Sequence, residues 1–324
     1  MTNPPEFQVS SGGAIALPAV AVAHKSPGRL FWERFREDKA ALGGAVVIVV
    51  LVLIAIFGGP LAANITGHPQ NTTYTNMTDA YGVPLGPNSS FWFGADASGR
   101  DLFVRTMYGA RTSLFVGVVA SGLAVLIGLV VGLVAGFFGG WVDTILSRMA
   151  DVLLAVPQIL IAVGIVAACS TNKNGCLGGL LQPGLTVVIA VITLFSWSYI
   201  ARIVRGYTLS LREKEFVESA RAAGASNVRI LATEILPNLI GPLIVYSTLL
   251  IPTNILFEAA LSYLGLGVPP DEASWGSILT DASGLYDVAW WLMVFPGSFL
   301  ILTTLAFNLL GDGLRDAFDV RSER

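Results

Sequence analysis

The chain has 324 residues, of which 54% are hydrophobic and 13% charged, and its formal net charge is −3. Ordinary soluble domains carry about 25% charged residues. Here no Asp, Glu, Lys or Arg occurs between Lys39 and Asp79, Arg111 and Asp143, Asp151 and Lys173, Lys173 and Arg202, Glu234 and Glu258, or Asp287 and Asp312, and each gap contains an apolar run near the roughly 20 residues that cross a bilayer as a helix. A soluble core with six such runs is excluded. The expected fold class is an all-α polytopic membrane protein, with transmembrane helices over 41–63, 112–138, 146–169, 183–205, 237–258 and 289–311.

The N-terminal region, 1–39, contains an apolar stretch from Ala14 to Ala23 that ends in small residues, as a signal peptide would. Met1 to Gly13 carries no Lys or Arg and the apolar run is short, so a tail is the preferred reading. Next comes KSPGRLFWERFREDK, in which Leu30, Phe31 and Phe35 can share one helix face while Arg29, Arg34 and Arg36 meet lipid phosphates or water. That suits an interfacial helix, and the same basic residues also serve as topology signals.

Six spans that start inside place both termini in the cytoplasm. Fifteen Lys and Arg then lie on inside segments and only Arg100, Arg105, Arg111 and Lys173 outside, the bias that orients membrane proteins. Region 40–111 holds the first span and a long outside loop, rich in Asn, Thr, Gly and Pro and expected to be too polar to build much core. Asp101, Arg105 and Tyr108 fall at helical spacing, so a helix is expected to run into the second span.

Region 112–311 is the five-helix remainder. Gly128, Gly132 and Gly136 form overlapping G-x-x-x-G pairs in the second span, a face that lets some other helix approach closely. Pro157 is expected to kink the third span and Pro252 the fifth. Arg148 and Asp151, one turn apart, are expected to pair. Cys169 and Cys176 flank a short outside loop, where a disulfide and two separate thiols are equally open readings. Glu258 lies near the outer end of the fifth span. The segment ASWGSILTDA is expected to be an amphipathic helix on the outer surface, and 312–324 is a cytoplasmic tail.

Several chemistries are missing. The four lysines follow His24, Asp38, Asn172 and Glu213, so none completes a phosphate-binding G-x-x-x-x-G-K-[ST] loop. The two histidines, His24 and His68, lie outside the spans, and no metal or catalytic cluster is evident. A proton-coupled carrier needs a carboxylate or histidine buried in its spans; none is expected here. These points count against a membrane enzyme and against a self-sufficient carrier or channel, and no nucleic-acid partner is expected.

Between the fourth and fifth spans, Arg212 to Glu234 holds eight ionisable residues. At the bilayer centre each would cost about 2.5–3.5 kcal/mol, so the segment lies outside the membrane. Its pattern reads helix, break, helix, with Phe216, Ala220 and Ala223 on one face, Gly224 at the bend, Ser226 as a cap and Pro237 in the first turn of the fifth span. It is either a plain connector or a docking element for a soluble partner.

Glu218-Ser219-Ala220, Gly224 six residues after Glu218, and Leu236-Pro237 resemble the E-A-A-x₃-G-x₉-I-x-L-P loop of ABC importer permeases. Ser219 and Glu234 depart from that pattern, the latter standing where isoleucine is usual. The stretches WFGADASGRD, YGARTSL, RMADVLLAVPQIL, LSYLGLGVPP, SWGSIL and GDGLRDAFDVR are similar to the C-type permease subunit of dipeptide and oligopeptide ABC importers, over about residues 28–321. Membership of that family implies a non-catalytic half-channel in the bacterial cytoplasmic membrane. Its implied partners are a homologous B-type permease, two ATPase subunits or one fused ATPase that bind ATP and Mg, and an extracytoplasmic substrate-binding protein. Nickel and haem importers are relatives within the same class. The resemblance also implies that Glu215, Glu218, Ser219, Ala220, Ala223, Gly224, Ala225, Leu236 and Pro237, within the loop 206–237, form the ATPase-coupling element.

Overall fold

A computed structural model describes residues 27–171, 175–179, 181–269 and 271–318. The apolar stretch Ala14 to Ala23 and the last six residues lie outside the described residues. Helix α1 (Pro27–Glu37) leads to Asp38, whose carboxylate accepts from the amides of Ala40 and Ala41 at 2.9 and 3.0 Å and so starts α2 (Lys39–Leu53). Phe31 and Phe35 do share a face, but they turn it to the last helix of the chain. Phe35 is buried beside Ala41 and Ala317, and the Phe31 and Phe318 rings lie 4.5 Å apart. Leu30, expected on the same face, is left exposed, as is Trp32.

The first span continues through a π turn (Ile54–Gly58) into α3 (Gly59–Thr66). Pro60 has no amide to return to Ile56, which accounts for the wider turn just before it. The second span is α4 (Leu102–Phe138), capped by Asp101, which accepts from Phe103 N and Val104 N at 2.9 and 3.2 Å. The expected run-in helix is therefore the first part of one 37-residue helix. Its glycine face packs against α7 (Leu185–Arg212). A Cβ at Gly128 would stand 2.7 Å from Ile200 Cβ, one at Gly132 2.6 Å from the carbonyl oxygen of Ala201, and one at Gly136 2.7 Å from Thr208 Cβ.

The third span is not one helix. It divides into α5 (Gly140–Ala155) and α6 (Gln158–Ser170), bent by 88° at Val156 and Pro157. Pro157 cannot continue the helical ladder and drives Val156 to extended angles (φ −81°, ψ 148°). The expected kink is thus a break, and neither arm alone reaches the length of a span.

After α7 come α8 (Glu215–Ala222), α9 (Asn227–Ile230), a second π turn (Leu231–Ile235) and α10 (Leu236–Tyr263). This π turn also precedes a proline, Pro237, which cannot bond back to Thr233. Helix α10 stays helical through Pro242 and Pro252, so Pro252 does not interrupt the fifth span. The chain ends with α11 (Trp275–Ala282) and α12 (Trp291–Phe318). Among the described residues five continuous helical segments are long and apolar enough to cross a membrane, and the bent pair makes six. Helices α4, α7, α10 and α12 form the centre. The α8 segment lies at one end of the bundle and α11 at the other.

Candidate coupling segment and the opposite end of the bundle

Three buried side chains hold the α8 segment to the bundle: Val217, Ile230 and Ile235 join Trp197, Ile200 and Val204 of α7 and Leu239 of α10 in one apolar cluster. Everything else in α8 follows from that anchorage. Glu215, Glu218, Ser219 and Ala223 are exposed, while Ala220 and Ala225 pack partly against the cluster. Gly224, at φ +81°, closes the helix. Its amide donates to the carbonyl of Arg221 and that of Ala225 to Ala220, both at 3.0 Å. This paired bonding is the Schellman ending, in which the left-handed position favours glycine. Ser226 then accepts from Arg229 N at 3.4 Å and opens α9. Leu236 is half-buried and Pro237 exposed. Glu234 leaves the core position to Ile235 and accepts a hydrogen bond from Thr233 Oγ1 at 3.1 Å. Glu215, Glu218, Arg221 and Arg229 have no ion pair among the described residues.

A cavity of about 330 Å³ lies between α4, α5 and α7 and is lined by Asp143, Arg148, Asp151, Arg202 and Arg205. The expected pairing of Arg148 with Asp151 does not form. Asp151 instead accepts from Arg202 of α7 at 2.6 Å, and Asp143 accepts both arms of Arg205, one at 2.7 Å. Asp151 takes the cation that α7 brings across the gap rather than the one that precedes it on its own helix.

At the other end the WFGADASGRD stretch folds into a polar knot. Asp96, fully buried, accepts from the amides of Ser98 and Arg100 at 2.9 Å each and from Arg100 Nε at 2.6 Å, and it lies 3.2 Å from Arg105 Nε. Arg105 also donates to Asn71 Oδ1 at 2.9 Å, and His68 Nδ1 lies 2.6 Å from Asp101. His68 stacks on Phe91, which with Met77 and Ala95 makes a small core of its own. The loop between the first and second spans therefore builds more core than its composition suggested, because its polar groups satisfy one another. Arg100 reaches Asp281 of α11 at 3.9 Å. Burial, helped by nearby Asp96, raises the Asp281 carboxyl above its ordinary value; Arg100 and Arg105 act against that rise.

Helix α11 does not lie on the surface. Trp275 is fully buried and donates from Nε1 to the carbonyl of Thr106 at 3.1 Å and from its backbone amide to Ser113 Oγ at 3.2 Å. Gly276 permits the insertion, since a Cβ there would stand 2.5 Å from Ala259 Cα. Glu258 overturns the expectation of spans without a buried carboxylate: it is 0% exposed. Cys169 and Cys176 are bonded to one another. No group of three or more metal-ligating side chains occurs among the described residues.

Residues 128–324 match the model of the binding-protein-dependent transport system inner membrane component, and residues 26–84 match the N-terminal transmembrane domain of oligopeptide transport permease C. The chain belongs to this permease family. The oligopeptide transport system permease protein OppC of Bacillus subtilis (strain 168) is 39% identical over 98% of each chain. The glutathione transport system permease protein GsiD of Escherichia coli O6:K15:H31 is 41% identical over 91% of each. An inward-facing form of the MetNI methionine ABC transporter shares the fold, with a TM-score of 0.51 and 21% identity over 65% of this chain and 94% of that one. The protein is thus a multi-pass, non-catalytic permease subunit of an ABC importer, a class that works with ATPase and binding-protein partners. The run of eight ionisable residues located the α8 segment, but the Asp96 knot and the burial of Glu258 were missed. The close alternation of acid and base in GADASGRD was the available signal for the first. Nothing in the sequence spacing set Glu258 apart.

Proposed function

We propose that this subunit forms half of a pathway for di- and oligopeptides and takes its energy from ATPase subunits that dock on the α8 segment. The observation that carries this reading is the α8 segment itself. Its Glu215, Glu218, Arg221 and Arg229 have no ion pair among the described residues, and it is fixed from below by Val217, Ile230 and Ile235 and joined without a flexible linker to α10. Such a surface can receive a push and pass it on. The two named relatives act on oligopeptides and glutathione, both peptidic, which supports a short-peptide cargo. ATP and Mg belong to the partner ATPases in this reading, a homologous permease completes the pathway, and a binding protein delivers the cargo. The α8 end and both termini face the cytoplasm, in keeping with the excess of Lys and Arg there.

The test is coupling in reconstituted vesicles. Glu218→Lys reverses an exposed charge, and Gly224→Asp places a side chain at φ +81° on the same surface. Both variants are expected to insert normally and to separate ATP hydrolysis from peptide uptake. Unchanged coupling in both would remove the docking assignment. Amide exchange over 212–234 should slow only when the ATPases are bound; equal protection without them would leave the segment a plain connector.

A further inference from the structure

Glu258 lies on α10 near the end remote from α8. Ser262 Oγ donates to its Oε1 at 2.7 Å and Ser113 Oγ, from α4, to its Oε2 at 3.1 Å. A hydroxyl has one proton to give, so each serine must meet its other neighbour as an acceptor. Both do: Ser113 Oγ accepts from the backbone amide of Trp275 at 3.2 Å, and Ser262 Oγ from that of Val268 at 3.4 Å. Two relays therefore converge on one carboxylate, each beginning at an amide of the segment that joins α10 to α11 and ends in the first residue of α11. The same stretch of α10 holds α11 twice more. Thr280 Oγ1 donates to the carbonyl of Ser262 at 2.9 Å, and Gly276 packs directly on Ala259.

An ionisable group inside a spanning helix is costly and marks function more often than architecture. Apolar packing of α11 would need no acid. A carboxylate with two serine donors also has an arrangement that changes in steps, because a shift of α10 against α4 lengthens the Ser113 contact while the Ser262 contact, on the same helix, moves with it. Helix α10 starts at Leu236, where the α8 segment ends, and is continuous to Tyr263.

We infer that Glu258 is a positioning residue that transmits displacement of α10 to α11, so that the end of the pathway around Trp275 opens and closes with events at α8. The inference rests on the coupling reading above. The pair Ser113 and Glu258 is the contact that α10 makes and breaks. Ser262 is tied to Glu258 within α10 and accepts from Thr280 of α11 at its carbonyl, and with Gly276 against Ala259 this is the grip that carries α11 along.

The experiment uses the assembled importer with paired spin labels at Val118→Cys on α4 and Ser283→Cys just beyond α11. Both positions are exposed, and the two native cysteines are bonded to each other. The label distance is measured with and without nucleotide, alongside ATP hydrolysis and peptide uptake. Wild type is expected to switch between two distances. In E258A the distance should cease to follow nucleotide and uptake should fall at least about tenfold while hydrolysis continues. E258Q, which keeps one acceptor oxygen but turns an amide NH2 towards the other serine, should lie between. S113A and S262A each remove one relay and should give partial losses, which keeps the inference testable if E258A inserts poorly. A wild-type response that persists in E258A, S113A and S262A overturns this inference alone. A wild-type distance indifferent to nucleotide overturns the coupling reading, and this inference with it.

Discussion

At the α8 end Glu215, Glu218, Arg221 and Arg229 face outward with no ion pair among the described residues, whereas at the α11 end Asp96, Asp101, Arg105 and Glu258 are between 0% and 2% exposed, each with close polar partners. The two ends use their charged groups differently. A charge left in water is already solvated, and meeting a new partner there needs little reorganisation. A charge taken out of water must be satisfied by its own chain, and the set of partners then fixes a shape. The α8 end is thus suited to be engaged from outside, and the α11 end to hold one arrangement until something inside the bundle shifts.

The strongest way to break this contrast is Asp96→Ala. It would remove a fully buried carboxylate from beside Arg105, 2% exposed, and with it the acceptor for two loop amides. Losing one partner of a buried pair typically destabilises by about 3–5 kcal/mol. A large drop in the thermal midpoint of the detergent-solubilised chain is expected, with faster exchange over 91–101. Stability within about 0.5 kcal/mol of wild type, the range of ordinary surface substitutions, would mean that the knot holds nothing together.

Much of this architecture was legible in the sequence, and the reasons it was partial are physical. Apolar length fixed the spans, because a chain in hydrocarbon has few other ways to satisfy its backbone. Gly224 and Ser226 announced the end of α8 and the start of α9 through local chemistry that needs no tertiary partner. Pro157 announced a bend, but not that it would reach 88°, since the angle depends on what α5 and α6 pack against. The failures all involve contacts between distant segments. Asp151 is three residues from Arg148 and 51 from Arg202, yet it takes the latter. Trp275 reads as half of an amphipathic pattern, and only the gap beside Gly276 shows that it goes inward.

A finer test of the contrast uses pH. Burial raises the Asp281 carboxyl, so the folded state holds that proton more tightly than the unfolded chain does. Asp281 therefore weakens stability as pH rises from the ordinary carboxylate range of about 4 through its raised folded value, and the loss is complete above it. Asp281→Asn should flatten this part of the stability–pH curve relative to wild type, measured as thermal midpoint over a pH series. Parallel curves for the two proteins would show that the Arg100 contact at 3.9 Å fully offsets burial.

The smallest effect is expected from Asp151→Asn. This ion pair resembles the knot in geometry, with 2.6 Å between Arg202 and Asp151, but the side chains are 58% and 46% exposed. Water solvates both groups when the pair opens, so the loss should be about 0–1 kcal/mol and should shrink further in high salt. Comparing thermal midpoints of Asp151→Asn and Asp96→Ala at two salt concentrations then isolates burial from distance, because the closest contact in each is 2.6 Å. If both variants lose the same stability and respond alike to salt, then depth in the structure is not what separates the two ends, and the exposed charges of α8 would have to be explained by something other than readiness for a partner.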